Sequence, residues 1–162
     1  MKTLIATLAV AGSLLAVTPA AHAATTPECT SSQLTASFKD RDAGMSHRYG
    51  TLVLENTSGS ACTVAGFGGL SYVGGGTGKQ VGAAASRTPS KVRTVVLDPG
   101  DKARSAVSET TTGPYSQAQC HPTKVDGFRV YVPDSTKAQF VAHPTTTCAD
   151  TDLQMLSHKA FH

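Results

Sequence analysis

The chain contains no tryptophan, and aromatic residues make up only 6% of its 162 positions. A domain built on the buried strand-C tryptophan of antibody folds is therefore excluded. Charge is sparse as well: Asp, Glu, Lys and Arg amount to 15%, the formal balance is +3, and the cations are scattered without forming a basic stripe. That distribution argues against nucleic acid as the main partner. No Cys-x-x-Cys, His-Glu-x-x-His or Gly-x-Ser-x-Gly occurs, so the common zinc sites and the hydrolase nucleophile elbow lack their sequence basis. With 40% hydrophobic residues, the chain is nonetheless too apolar to remain disordered, and its length suits one domain.

Only one long hydrophobic run is present. Lys2 precedes an apolar stretch from Leu4 to Val17, followed by Pro19 and Ala21-His22-Ala23, the pattern of a secretory leader with an Ala-x-Ala cleavage site. As a helix this run would span about 21 Å, short of a hydrocarbon core of about 30 Å. The expected organisation is a leader at 1–23 and a single domain at 24–162. A lipid anchor would need a cysteine directly after the cleavage site, but the first is Cys29. A released extracellular protein without a membrane anchor is expected.

Four cysteines follow the leader, Cys29, Cys62, Cys120 and Cys148, and an even number in an exported chain reads as two disulfides. Three connectivities are open. Pairing Cys29 with Cys62 and Cys120 with Cys148 is favoured because each bridge then closes a loop of about thirty residues within its own half, each contributing roughly 3.5 kcal/mol by chain entropy.

Period-two alternation recurs along the domain. In Tyr49 to Asn56, Leu52 and Leu54 share one face, while Thr51, Val53 and Glu55 share the other. Similar runs cover Leu34 to Phe38, Leu70 to Val73, Val92 to Leu97, Ala103 to Ser108, Gly127 to Val132, Ala138 to Ala142 and Leu153 to Ser157. No window sustains helical periodicity over three turns. Turn-forming clusters separate the runs, among them Asp98-Pro99-Gly100-Asp101, where Pro presets one turn position and Gly supplies the positive φ of a type II turn. These features predict an all-β chain, an immunoglobulin-like antiparallel β-sandwich stapled by two disulfides.

Several segments together carry a family likeness. They are Gly44-Met45-Ser46-His47-Arg48-Tyr49 leading into Leu52-x-Leu54-x-Asn56-Thr57-Ser58, then Cys62-Thr63-Val64-Ala65-Gly66-Phe67, Leu97-Asp98-Pro99-Gly100 and Gly127-Phe128-Arg129-Val130-Tyr131-Val132-Pro133. In order and spacing the chain resembles the secreted actinobacterial family known as domain of unknown function 4232. The resemblance implies an exported β-sandwich module with no assigned activity and transfers no catalytic residue. The chain departs from it at Gly68, where Pro is expected after the Gly-aromatic pair.

Candidate chemistry is thin. Gly74-Gly75-Gly76-Thr77-Gly78-Lys79 invites comparison with a phosphate loop, but Val73 and Gln80 occupy two of its fixed positions, so a hairpin loop is expected. His121 and His143 each precede Pro and lie near a second-half cysteine; they read as soluble loop residues, with a metal pair brought within reach by a Cys120–Cys148 bridge as the alternative. His47 precedes a strand and suits a structural hydrogen bond or a ligand. His158 and His162 belong to a terminal segment expected to fray. Asp40 with Asp42, and Asp150 with Asp152, read as polar turns; calcium is the alternative. Asn56-Thr57-Ser58 matches the glycosylation pattern, with turn chemistry as the simpler account. No catalytic, cofactor or metal residue is assigned.

The expected function is that of a secreted non-enzymatic binding or interaction module. It would act as a monomer on an extracellular protein or cell-wall ligand, through the loops Asp40 to His47 and Gly66 to Gly78, with Tyr49, Tyr72 and Tyr115 as candidate anchors. The alternative is a secreted protease inhibitor presenting Gln119 to Lys124 as a rigid loop, and an extracellular hydrolase ranks below it. Mass spectrometry of the protein recovered from culture medium should find Ala24 at its N-terminus; the full-length chain in the cytosol of the native host would overturn the export reading.

Overall fold

The computed structural model describes residues 25–162, so the leader expected at 1–23 lies outside the described residues. Within them the chain is almost wholly strand: β1 Leu34–Gly44, β2 His47–Asn56, β3 Cys62–Ala65, β4 Gly69–Gly74, β5 Lys79–Gln80, β6 Ser86–Arg87, β7 Thr94–Leu97, β8 Lys102–Thr110, β9 Pro122–Tyr131, β10 Ala138–Cys148 and β11 Leu156–His158. One helical turn, α1 at Gln117–Cys120, carries a capping box between Ser116 and Gln119. No described helix is long and apolar enough to cross a membrane.

The strands form a five-stranded sheet ordered β1-β2-β8-β11-β6, a four-stranded sheet β10-β9-β4-β5 and a two-stranded ladder β3-β7. The ladders are antiparallel as expected, with one exception at β11–β6, which is parallel. The two-residue β6 reaches β11 through a long connection, and no tight turn dictates its direction. Leu52, Leu54 and Val107 of the first sheet meet Tyr72, Phe128 and Val130 of the second in one core, each buried side chain contributing roughly 1.5–3 kcal/mol. Phe38 packs edge-on against Phe128 across it at 5.0 Å. Val53, placed by alternation on the solvent face with Thr51 and Glu55, is also buried.

Disulfides join Cys29 to Cys62 and Cys120 to Cys148, the favoured pairing. The Asp98 to Asp101 turn closes with an amide-to-carbonyl bond of 2.9 Å, and Gly100 has φ 90°, as a type II turn requires. Several local expectations fail, and Gly66 to Gly78 is not one loop, since Gly69–Gly74 is strand β4. The C-terminal segment is not frayed: His162 and Arg104 exchange backbone bonds of 2.9 and 3.0 Å, Phe161 bonds Gly66, and Phe161 is buried. Nor is Asp40 to His47 a loop. β1 runs on to Gly44 and pairs with β2, and only Met45 and Ser46 form the turn.

Two bulges interrupt the ladders, one in β1 between Asp40 and Asp42 and one in β10 between Ala142 and Thr145. Bulges re-aim side chains. Glycines make both close approaches possible. A Cβ on Gly50, which pairs with Asp40, would lie 2.0 Å from the Phe38 ring, and one on Gly127 would lie 2.2 Å from the Val141 carbonyl. The second obstacle is backbone and cannot swing away. Gly127→Ala should therefore cost about 1–3 kcal/mol in urea unfolding, while Gly44→Ala, with open space around it, should change little; equal effects would refute the account of the β10 bulge.

Candidate functional site

Beneath the two bulges lies a carboxylate with no exposed surface. Alternation along β8 turns Ala103, Ser105, Val107 and Glu109 inward, so Glu109 enters the space between the sheets. Its partners come from three other strands. The Tyr72 hydroxyl of β4 donates to Oε2 in a short hydrogen bond, and the Arg48 guanidinium of β2 lies 3.4 Å from the same oxygen. His143, within the β10 bulge, places Nε2 3.1 Å from both carboxylate oxygens. An ionised carboxylate only accepts, so Nε2 carries the hydrogen. The imidazole stacks on Phe128 at 4.7 Å and meets Phe38 edge-on at 4.7 Å, which fixes its orientation.

The electrostatics follow from this packing. Burial is the largest influence on Glu109 and favours its neutral form. The hydrogen bonds from His143 and Tyr72 and the charges of His143 and Arg48 together outweigh burial and hold its pKa below the ordinary value near 4.5. Tyr72 moves the other way: burial first, then the neighbouring Glu109, push its phenol well above the normal range.

Asp40 completes the cluster from the β1 bulge, with its carboxylate 4.0 Å from His143 Nδ1 and 76% exposed. Asp40, Glu109 and His143 can bring one ligand atom each within 4.8 Å of the others, a spacing open to a shared cation. The fit is poor. The imidazole shows a different nitrogen to each carboxylate, so one nitrogen cannot face both, and the Arg48 guanidinium beside Glu109 repels a further cation. The arrangement is better described as a hydrogen-bonded network centred on Glu109, in which Arg48 Nε alone is buried without a partner among the described residues.

The opposite face of the same strands is open. Thr51, Val53 and Glu55 of β2 point outward between Lys39 and Arg41 of β1 and Lys102 and Arg104 of β8, lining a groove of about 580 Å³, and Tyr49 follows on the same face beyond it. At the strand ends Tyr49 is 43% exposed and stacks with His47 at 6.1 Å. Met45 at the turn is 95% exposed. Met45 and Ser46 both have left-handed φ values, 49° and 64°, a conformation that favours Asn-Gly in such two-residue turns and strains other residues.

The profile of the family described as domain of unknown function (DUF4232) matches residues 29–161. The chain belongs to that family. No curated protein and no solved structure matches it.

Other candidate residues of this DUF4232 domain are placed as follows. His121 and His143 are not brought together. Pro122, next to His121, pairs with Cys148, five residues along β10 from His143, or roughly 16 Å at about 3.3 Å per residue. His158 is buried against Ser105, and burial lowers its pKa below the usual value near 6.5. Among the candidate tyrosine anchors only Tyr49 is exposed; Tyr72 is buried and Tyr115 packs against the core. The Asn56 amide is buried, donating to the Ser60 and Leu97 carbonyls at 2.8 and 2.9 Å, so turn chemistry accounts for the glycosylation-like triplet.

In the glycine-rich segment, which forms the β4–β5 hairpin, the Gly76 amide donates to Asp126, which fills the place a phosphate would take. Asp150 accepts from the amide of Asp152 in a polar turn. Gln119 to Lys124 is no free loop: Gln119 and Cys120 belong to α1, and Lys124 pairs with Thr146 inside β9. At Gly68 a Cβ would lie 2.3 Å from the Tyr131 carbonyl, which accounts for a residue without a side chain there.

Glu109 and Arg48 escaped sequence reading. The signal was available: continuing the Ala103, Ser105, Val107 alternation by one step puts Glu109 on the buried face.

Both depressed pKa values destabilise the fold in acid. Stability tied to His158 is fully present above about 6.5 and falls as pH drops toward its lower folded value; that tied to Glu109 is present above about 4.5 and is lost below it. Glu109→Gln should flatten the decline below about 4.5 and leave the higher window unchanged. Tyr72→Phe should cost about 1.5–3 kcal/mol by removing a bond to a charged acceptor. An unaltered acid limb in Glu109→Gln would show that the carboxylate is not ionised in the folded protein.

Proposed function

We propose that the protein is a secreted, non-enzymatic binding module with an immunoglobulin-like sandwich architecture, which engages an extracellular partner through the β1–β2 hairpin. Two facing sheets joined to a core by strands from both halves support the architecture, and the disulfides suit an oxidising compartment. The observation that carries the binding reading is the hairpin end. Met45 stands almost fully exposed on a two-residue turn of non-glycine residues held left-handed, and strain of this kind persists where the surrounding structure over-determines it. Tyr49 is exposed on the same hairpin. In the polar cluster beneath, the Glu109 carboxylate is engaged by Tyr72, His143 and Arg48 together, which supports a scaffold role for it.

The test is retention of the protein on cell-wall material and on immobilised extracellular proteins of its own source, comparing wild type with a Met45→Ala/Tyr49→Ala variant of verified fold. Retention of wild type, reduced at least about tenfold in the variant, is expected for residues at the centre of an interface. No retention on either fraction, or equal retention of both proteins, would overturn the proposal. Stoichiometric inhibition of trypsin or subtilisin would replace it with the inhibitor reading.

A further inference from the structure

We propose that the outer face of β1, β2 and β8 is a platform for an acidic polysaccharide. The inference rests on the binding reading above and names its partner class. The face is a groove between two pairs of cations on strands that flank β2: Lys39 and Arg41 on β1, Lys102 and Arg104 on β8. Lys102 is paired with Glu55 at 3.2 Å. Lys39, Arg41 and Arg104 take part in no ion pair among the described residues. Cations thus stand on both rims and three of the four have no ion-pair partner among the described residues, which favours an anion lying along the groove.

The groove leads to an aromatic surface. From the row containing Glu55 and Lys102 to the row containing Tyr49 and Ser108 is six residues, roughly 20 Å at about 3.3 Å per residue, so the occupant is an extended chain and not a single small anion. At the far end the exposed Tyr49 ring, stacked with His47, offers a flat apolar surface with a polar edge, suited to a sugar ring. From the Val53 row to the Tyr49 row the outward positions on the floor are Ser37, Val53, Thr51, Ala106 and Ser108, none longer than valine. They leave the floor open.

The charge pattern selects the class of polymer. Glu55 and Asp40 line the same groove, so its net charge is modest and carboxylates are interspersed with the cations. A nucleic acid, with a phosphate on every nucleotide, would meet these carboxylates as repulsion. A polysaccharide with widely spaced carboxylates or sulfates and many hydroxyls meets them as hydrogen-bond acceptors.

Calorimetric titration of the disulfide-intact protein tests the inference. The probes are hyaluronan for carboxylate on alternate sugars, chondroitin sulfate for added sulfate, unmodified dextran as the neutral control and a single-stranded oligonucleotide as the competing class. Binding to at least one acidic polysaccharide and none to dextran is expected, weakening about tenfold or more between about 50 and about 300 mM NaCl as screening shortens the Debye length. A Lys39→Ala/Arg41→Ala/Arg104→Ala variant should lose about tenfold or more, and Tyr49→Ala should weaken binding without changing its salt dependence. Lys91→Ala/Arg93→Ala, which removes two exposed cations elsewhere, should bind as wild type.

All the substituted side chains are exposed, and far-ultraviolet circular dichroism checks that each variant is folded. The inference is overturned by no binding to either acidic probe at low salt, by undiminished binding in the triple variant, or by preference for the oligonucleotide. If the protein is retained on extracellular material through Met45 and Tyr49 while both acidic probes fail, this inference falls and the binding reading stands. Failure of retention and of every probe removes both.

Discussion

A carboxylate without exposed surface must be compensated or it will not ionise, and Glu109 is compensated only when both large sheets are in place. Tyr72 and His143 belong to one sheet, and Arg48 and Glu109 itself to the other. Packing the two sheets without Tyr72 and His143 would leave the carboxylate buried short of partners, at a cost of several kcal/mol. Apolar residues of the same volume often stabilise a core as well as a buried ion pair does, so the cluster matters less for net stability than for register. A one-residue slip of β8 would turn Glu109 to solvent and bring an outward residue into the core. The bulges in β1 and β10 lie at the same cluster, since Asp40 and His143 sit at them.

The sheets were legible in the sequence wherever one face is apolar and the other polar. β8 and the distal half of β9 follow the alternation closely, while β4 is buried on both faces and was legible only as an apolar run. Reading stopped short where alternation did. β1 was expected to end at Phe38, because Lys39-Asp40-Arg41-Asp42 is polar on both faces; these residues lie on an edge strand, where charge also discourages pairing with another chain. β10 was expected to end at Ala142, because His143-Pro144 breaks the pattern. An edge strand tolerates Pro, and the bulge absorbs the irregularity. The two-residue strands β5 and β6 are too short for periodicity to register. The C-terminal segment looks free in sequence and is held by contacts to Gly66 and Arg104, which no local pattern announces.

The candidate site was legible only in part. Cysteine arithmetic and loop length led to the observed disulfides because both bridges are local to their halves of the chain. His143 was singled out, but with His121 as its partner, since nearness to a cysteine was the available clue; the actual partner, Glu109, is 34 residues away. Tyr72 was read as a possible exposed anchor, although its neighbours Leu70 and Val73 are apolar, because a tyrosine serves a core and a surface equally well. Its hydroxyl is accommodated in the interior only through Glu109.

The buried network and the open face are two sides of the same strands. Arg48 and Glu109 point inward, while the next residue of β2, Tyr49, and the preceding residue of β8, Ser108, point outward and are paired with each other. Fixing the inner side chains therefore fixes the backbone from which the outer ones project. The turn is held in the same way: the Ser46 carbonyl accepts from the Thr111 amide at 2.8 Å, which secures the left-handed pair against relaxation. A surface held rigid before binding loses less conformational freedom on contact. The cost of burying Glu109 is thus offset twice, by the bonds that satisfy its charge and by the order its network imposes on the strands that display Tyr49 and Met45.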